Sequence, residues 1–277
     1  MSKLYNCLWF DKEANEAANY YCQIFNNSKI TSANPIVTEF LIGDFKVMAL
    51  NGGPKFNINP AISFFVNVNT VDEVNRLWNA LLVGGEVMMP LDKYDWSPRY
   101  GWLKDKYGFT WQIAFNQNSP NPLIIKPCML FTAGVFGQAH QAMQFYTEVF
   151  PQSQIDLHIP YQPNSEFAGK TLFAEFTLRN TPIFAMDGPN QPNYTFNEGV
   201  SFVVTCDTQA EIDAIWDKLS FVPEAEQCGW LKDKFGVAWQ IVPSILGKLM
   251  SDPNRAPRVM QAFLKMKKFD IDTLINA

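Results

Sequence analysis

The sequence predicts an α+β fold built from two tandem copies of one domain. Three observations carry that expectation. The stretch Gly101–Ile113, GWLKDKYGFTWQI, returns at Gly229–Ile241 as GWLKDKFGVAWQI, with three of thirteen positions changed and an offset of 128 residues (229 − 101). A period of that length marks whole domains rather than solenoid units. Within each copy, a strand, a helix and further strands follow one another, and the order then repeats. This βαβββ order differs from the steady alternation of a doubly wound parallel sheet. Hydrophobic residues make up 47% of the chain and charged residues 18%, ample material for buried cores.

In the first copy, Tyr5–Phe10 reads as a strand. Glu13–Phe25 carries apolar residues at helical spacing (Ala14, Ala17, Ala18, Tyr21, Ile24). Val37–Ile42 and Phe45–Leu50 form a strand pair around Gly43-Asp44. Ala61–Val68 is the next strand, and Thr70 with Glu73 forms a capping box before a helix with a Val74, Leu77, Trp78, Leu81 stripe. Glu86–Pro98 reads as an irregular excursion. Tyr100–Leu103 and Phe109–Phe115 are closing strands around a turn. Asn116–Pro127, rich in Asn and Pro, reads as a linker.

The second copy repeats these blocks: Cys128–Phe131, Gln141–Phe150, Phe173–Leu178, Ile183–Met186, Val200–Cys206, and a second capping box at Thr208 and Glu211. Between its helix tryptophan and the GWLKDK stretch it is ten residues shorter: Trp78 to Gly101 is 23 steps and Trp216 to Gly229 is 13. The expected boundaries are 1–117 for the first domain, 118–127 for the linker, 128–243 for the second domain and 244–277 for a C-terminal helical tail. Lys265, Lys267 and Lys268 read as a solvated helix face.

The net charge is −5 and no dense Lys/Arg block occurs, which argues against nucleic acid as a partner. No apolar run reaches membrane-spanning length, and MSKLYNCLWF has no signal-peptide pattern. Five cysteines without a CxxC pair suit reduced thiols, and the expectation is a cytoplasmic protein.

The blocks CLWFDKEANEAANYYCQIF, ALNGGPKF, AISFFVNVNTVDEVNRLW and GWLKDKYGFTWQI resemble the vicinal-oxygen-chelate superfamily, which includes glyoxalases, bleomycin-resistance proteins and dioxygenases. They are most similar to its PhnB-like branch, labelled 3-demethylubiquinone-9 3-methyltransferase-like. The second copy and the tail RVMQAFLKMKKFDIDTLINA carry the same likeness. The resemblance implies paired βαβββ units forming a cupped mixed sheet, and a pairing partner fused within the chain as an intramolecular pseudo-dimer.

Metal-dependent members hold their ion with His, Gln and Glu on the inner sheet faces. By resemblance the closing Glu position falls at Gln112 and Gln240, and the middle-strand His position falls near Ala61 or Ser63 and near Gly199 or Ser201. None of these is a carboxylate or an imidazole, and His140 and His158 match neither position, so the expectation is no metal and no cofactor. The methyltransferase label lacks a Gly-rich donor motif: no GxG occurs in the chain.

Strand parity places Thr110 and Gln112 on the face opposite Phe109, Trp111 and Ile113. With Ser63 and Asn67 they form a candidate ligand-binding set in the first copy. Ser201, Thr205 and Gln240, with Ala238, form it in the second. These are either pocket anchors or satisfied polar groups in a filled sheet. Trp9, Trp96, Trp102 and Trp230 either line a ligand or pack, with Trp96 placed for a lid contact. Asp105 and Asp233 suit a turn better than acid–base chemistry. Glu39 and Glu175 are candidate bases if they face the cup. Cys7 and Cys128 read as buried small thiols. The function expected is binding of a modest, partly apolar small molecule. The alternative is a divergent superfamily enzyme, either a metal-dependent lyase, isomerase or dioxygenase or a methyltransferase. The first copy, with its excursion, is expected to hold the open pocket.

Overall fold

The structure is a computed structural model and describes residues 4–119, 121–189 and 194–277. Residues 1–3 and Pro120 of the expected linker lie outside the described residues.

Four units follow one another. The first comprises β1 (Leu4–Phe10), α1 (Ala14–Ile24), β2 (Ser28–Ala33), β3 (Val37–Ile42) and β4 (Phe45–Asn51). The second comprises β5 (Ile62–Val68), α2 (Val71–Leu81), β6 (Glu86–Tyr94), β7 (Ser97–Lys104) and β8 (Thr110–Phe115). The third comprises β9 (Leu123–Phe131), α3 (Ala139–Val149), β10 (Gln154–Pro160), β11 (Thr171–Leu178) and β12 (Thr181–Asp187). The fourth has β13 (Val200–Cys206), α4 (Gln209–Leu219), β14 (Trp230–Lys232) and β15 (Ala238–Pro243). A tail of α5 (Leu246–Ser251), α6 (Ala256–Phe263) and α7 (Ile271–Asn276) closes the chain. No described helix is long and apolar enough to cross a membrane.

The capping boxes form as their spacing requires. Thr70 and Thr208 each accept from the backbone N–H three residues on, at 3.2 Å, at the starts of α2 and α4. Three stretches differ from the sequence reading. The excursion is ordered: β6 pairs with β7 through several register shifts, which obscure the two-residue alternation that marks a strand. β2 and β10 are additional edge strands whose side chains are mostly exposed, so they lack a buried face to betray them. β9 begins at Leu123, inside the stretch read as linker, because Leu123–Pro127 pairs with β5.

The strands form two sheets. One has seven strands in the order β14-β15-β13-β1-β4-β3-β2, and the other has eight in the order β10-β11-β12-β9-β5-β8-β7-β6. Each sheet consists of two paired units, and the two units come from different copies. β1 runs antiparallel to β13, and β5 runs antiparallel to β9. The fourth unit has one strand fewer, which accounts for the shorter second copy.

Within a copy, the halves are joined back to back through their helices. Tyr21 of α1 donates its hydroxyl to Asp105 at 2.8 Å, and Trp111 Nε1 donates to the same carboxylate oxygen at 2.8 Å. Tyr146, Asp233 and Trp239 repeat this at 2.7 and 2.9 Å. The second oxygen of each aspartate accepts from the backbone two and four residues on. This is the turn role expected for Asp105 and Asp233, extended into a core staple. Gly108 and Gly236 complete the turns at φ of 85° and 84°, a region that disfavours a side chain. Trp111 and Trp239 are fully buried, each contributing the large apolar area typical of a core aromatic. The opposite, concave faces of both sheets remain for other uses. In the tail, Lys267 pairs with Glu226 and Lys268 with Asp213, so these lysines anchor the segment after α6 rather than line a helix face.

Candidate functional site

Each concave face carries the same polar centre. In the eight-stranded cup, Cys128 lies across from Ser63 in the β5–β9 ladder. Gln112 Nε2 donates to Ser63 Oγ at 2.9 Å. In the seven-stranded cup, Cys7 lies across from Ser201, and Gln240 Nε2 donates to Ser201 Oγ at 3.0 Å. Burial pushes both thiols up to about 12, against a downward pull from hydrogen bonding to the glutamine and serine. They are therefore neutral at physiological pH and poor nucleophiles.

Around this shared centre the cups diverge. Tyr100 donates its hydroxyl to Gln112 Oε1 at 2.7 Å, so both ends of that amide are engaged. Cys228 stands at the position of Tyr100 in the repeat. It turns to the tail, donating through Sγ to the Phe263 carbonyl at 3.5 Å. Phe65, paired with Gln112, packs on Tyr100 and Phe184 with ring centroids 6.0 and 5.1 Å apart. Val203 holds the place of Phe65 in the seven-stranded cup. Trp9 and Trp230 meet there at 5.8 Å, and Phe56 joins Trp9 at 5.0 Å. Trp9 Nε1 donates to the Gly53 carbonyl at 2.7 Å, and its ring fills the space that a Cβ on Gly52 would need.

Glu39 and Glu175 both lie on concave faces, since their strand neighbours Phe40 and Phe176 point into the helix-side core. Each is ion-paired: Glu39 with Lys46 at 2.8 Å, Glu175 with Lys126. The lysine arrives from β4 in one cup and from β9 in the other, so the repeat alone did not reveal the pair.

The remaining expected residues fall as follows. Trp102 and Thr110 lie on the concave face of the eight-stranded cup, both buried. Among the described residues, neither Trp102 Nε1 nor Thr110 Oγ1 has a hydrogen-bond partner. Asn67 lies on the same strand as Ser63, half-buried, beside Ala114. Trp96 is 64% exposed at the β6–β7 turn, stacked on Tyr94 with centroids 4.9 Å apart. Thr205 is half-buried on β13. Tyr100, which completes the polar relay, was not singled out by the sequence. Its place one residue before the repeated GWLKDK is the available signal.

A cleft of about 420 Å³ opens at the mouth of the eight-stranded cup, lined by Met88, Met89, Trp102, Lys104 and Tyr194 among others. A cleft of about 720 Å³ lies elsewhere, by the β3–β4 turn and the start of β9. The donors at the cup centres do not fit a divalent ion: an amide, a hydroxyl and a neutral thiol supply no anionic ligand. Among the described residues no group of three His, Cys, Asp or Glu side chains is placed to hold a metal.

The family profile described as 3-demethylubiquinone-9 3-methyltransferase matches twice, over residues 2–114 and 124–242. The chain belongs to that family. The two matches make it a tandem member, one copy over each matched stretch. Among solved structures it is similar to a putative 3-demethylubiquinone-9 3-methyltransferase, PhnB protein, from Bacillus cereus. The two share 29% identity over 40% of this chain and 98% of that one, with a TM-score of 0.39. It is also similar to glyoxalase I from Zea mays, at 12% identity over 90% of this chain and 95% of that one, with a TM-score of 0.59. The second likeness shows the fold across both copies. A search of curated proteins found no match.

Proposed function

We propose that this PhnB-like protein binds a modest, partly apolar small molecule without a metal, at the mouth of the eight-stranded cup. The observation that supports this most is the 420 Å³ cleft beside Trp102, whose buried indole N–H has no partner among the described residues. The volume falls in the range of small-molecule sites, about 300–1,000 Å³. An unmet buried donor costs stability, and a ligand acceptor relieves that cost. Met88 and Met89 offer an adaptable apolar wall for the ligand body. The ligand class is therefore an apolar compound with one carbonyl or carboxylate oxygen for Trp102. Trp96, at the far tip of the β6–β7 hairpin and stacked on Tyr94, does not line this cleft. The five free cysteines suit a reducing compartment, in keeping with action in the cytoplasm.

The test is a thermal-shift screen of small apolar carbonyl and carboxylate compounds, repeated on Trp102→Phe. A ligand specific to the folded state raises the transition temperature. Hits that vanish in Trp102→Phe support the reading. A stoichiometric divalent ion in the purified protein that disappears in Gln112→Leu would sink the metal-free reading.

A further inference from the structure

The 720 Å³ cleft lies at the seam where the two copies meet, outside both cups. Part of its wall comes in equivalent pairs. Leu4 and Ile125 stand three residues before Cys7 and Cys128 in β1 and β9. Phe45 and Thr181 are the first residues of β4 and β12. The cleft therefore straddles the relation between the copies. Beyond these pairs it is one-sided. It runs into the first copy, between Gly43 and Asp44 of the β3–β4 turn and Thr70 and Glu73 at the start of α2. The matching residues of the second copy, Arg179, Thr208 and Glu211, do not line it.

One substitution accounts for the difference. The two turns align by register, since Ile42 pairs with Phe45 and Leu178 with Thr181. Gly43 therefore holds the place of Arg179, and Asp44 that of Asn180. In the second copy the Arg179 side chain crosses from the turn to α4, donates through Nη2 to Glu211 and is buried. Its guanidinium occupies the arm there. In the first copy Gly43 leaves that space free: a Cβ built on it would meet no atom within 4 Å. Glu73, the counterpart of Glu211, draws its arginine from its own helix, since Arg76 Nε and Nη2 donate to it at 2.7 and 2.6 Å. Ala214 stands at the place of Arg76 in α4. The arm thus stays open with its carboxylate in place.

We propose that this arm binds a small organic cation with a planar head and an apolar body, an alkylguanidinium or alkylamidinium, in the space that Arg179 takes in the other copy. The charges set the sign. Asp44 is exposed at the cleft and has no ion-pair partner among the described residues. Lys46, the cation of the lining, is held by Glu39 at 2.8 Å. Asp72 and Glu73 in the first turn of α2 disfavour an anion at that helix start. A carboxylate has about four acceptor sites, so Glu73 keeps room for a second donor beside Arg76. Phe45, Leu123 and Ile125 offer an apolar wall for the ligand body. The volume lies within the range of small-molecule sites, about 300–1,000 Å³. The cleft shares no residue with the one beside Trp102, so the two sites stand or fall separately.

The experiment is calorimetric titration of the full chain with n-butylguanidinium chloride, with sodium butyrate and n-butanol as probes of similar size. The expected result is one saturable site for butylguanidinium, with the other two probes at least about tenfold weaker. Gly43→Arg installs the second-copy residue and should abolish binding, whereas Gly43→Ala shares its backbone cost at positive φ and should retain it. Asp44→Lys, an exposed change that leaves the fold intact, should weaken binding about fivefold, the upper scale for an exposed ion pair. Trp102→Phe should leave it unchanged. Absence of saturable binding, butyrate bound as tightly as butylguanidinium, equal affinity in Gly43→Arg and Gly43→Ala, or unchanged affinity in Asp44→Lys would overturn the proposal.

Discussion

The two cups share a centre and differ in their walls. Gln112–Ser63–Cys128 and Gln240–Ser201–Cys7 occupy the same strand positions with nearly the same hydrogen bonds. The eight-stranded cup adds the β6–β7 hairpin, the Tyr100 phenol, an indole N–H without a partner among the described residues, and a cleft at its mouth. The seven-stranded cup lacks that hairpin, and its Cys228 is drawn to the tail. Duplication has kept what holds the sheets together and varied the walls around that centre. The difference also belongs to cups rather than copies, because each sheet joins one half of each copy.

The largest expected effect comes from the aromatic wall. Phe184 is 5% exposed and packs on Phe65 and Phe173, so Phe184→Ala should cost about 3–5 kcal/mol. Its counterpart Met48 is half-buried, so Met48→Ala should cost about 2 kcal/mol or less. Chemical denaturation measures both. Equal costs would break the contrast between a filled and a sparser wall.

The next effect tests the skeleton beneath both cups. Burial raises the Asp233 pKa from 3.8 to about 6, although four donors pull it down, and Asp105 shifts in the same direction. Between pH of about 4 and 6 the folded chain holds a proton that the unfolded chain has released. Stability from this group is therefore fullest below that window and falls as pH rises through it. The fall should be on the order of 3 kcal/mol. In Asp233→Asn it should be absent, so the parent's advantage over the variant shrinks from pH 4 to pH 7. An advantage that grows with pH would reverse the sign.

A smaller effect converts one cup towards the other. Tyr100→Phe leaves the Gln112 amide oxygen buried without its phenol and should cost about 1–3 kcal/mol. The smallest effect concerns the concave ion pairs. Lys46→Met and Lys126→Met should each cost about 1 kcal/mol or less, because the pairs are partly exposed and screened. A large loss at Lys126 alone would mean that the eight-stranded cup depends on its charges.

Much of this was legible in the sequence. The repeat revealed the tandem architecture, and strand parity put Gln112, Ser63, Gln240 and Ser201 on concave faces, where they are. Capping boxes placed α2 and α4. The pairing of units across copies was not legible, because a local pattern does not say which equivalent strand it joins. β6 was hidden by its register shifts, and β2 and β10 by the exposure of edge strands. Part of the excursion lines the 420 Å³ cleft, but Tyr100 and the Lys–Glu pairs depend on contacts between strands that no spacing encodes. The contact of His140 with His158 is similar: two residues in different elements, brought together only by the packing of α3 on β10.

The most direct test of the difference between the cups compares two like substitutions, Trp102→Phe and Trp230→Phe, which occupy the same position in the repeat. Affinities of the thermal-shift hits would be measured by calorimetry on both. The expected result is loss of binding in Trp102→Phe and retention in Trp230→Phe. Loss in Trp230→Phe with retention in Trp102→Phe would place the ligand in the seven-stranded cup and contradict the assignment.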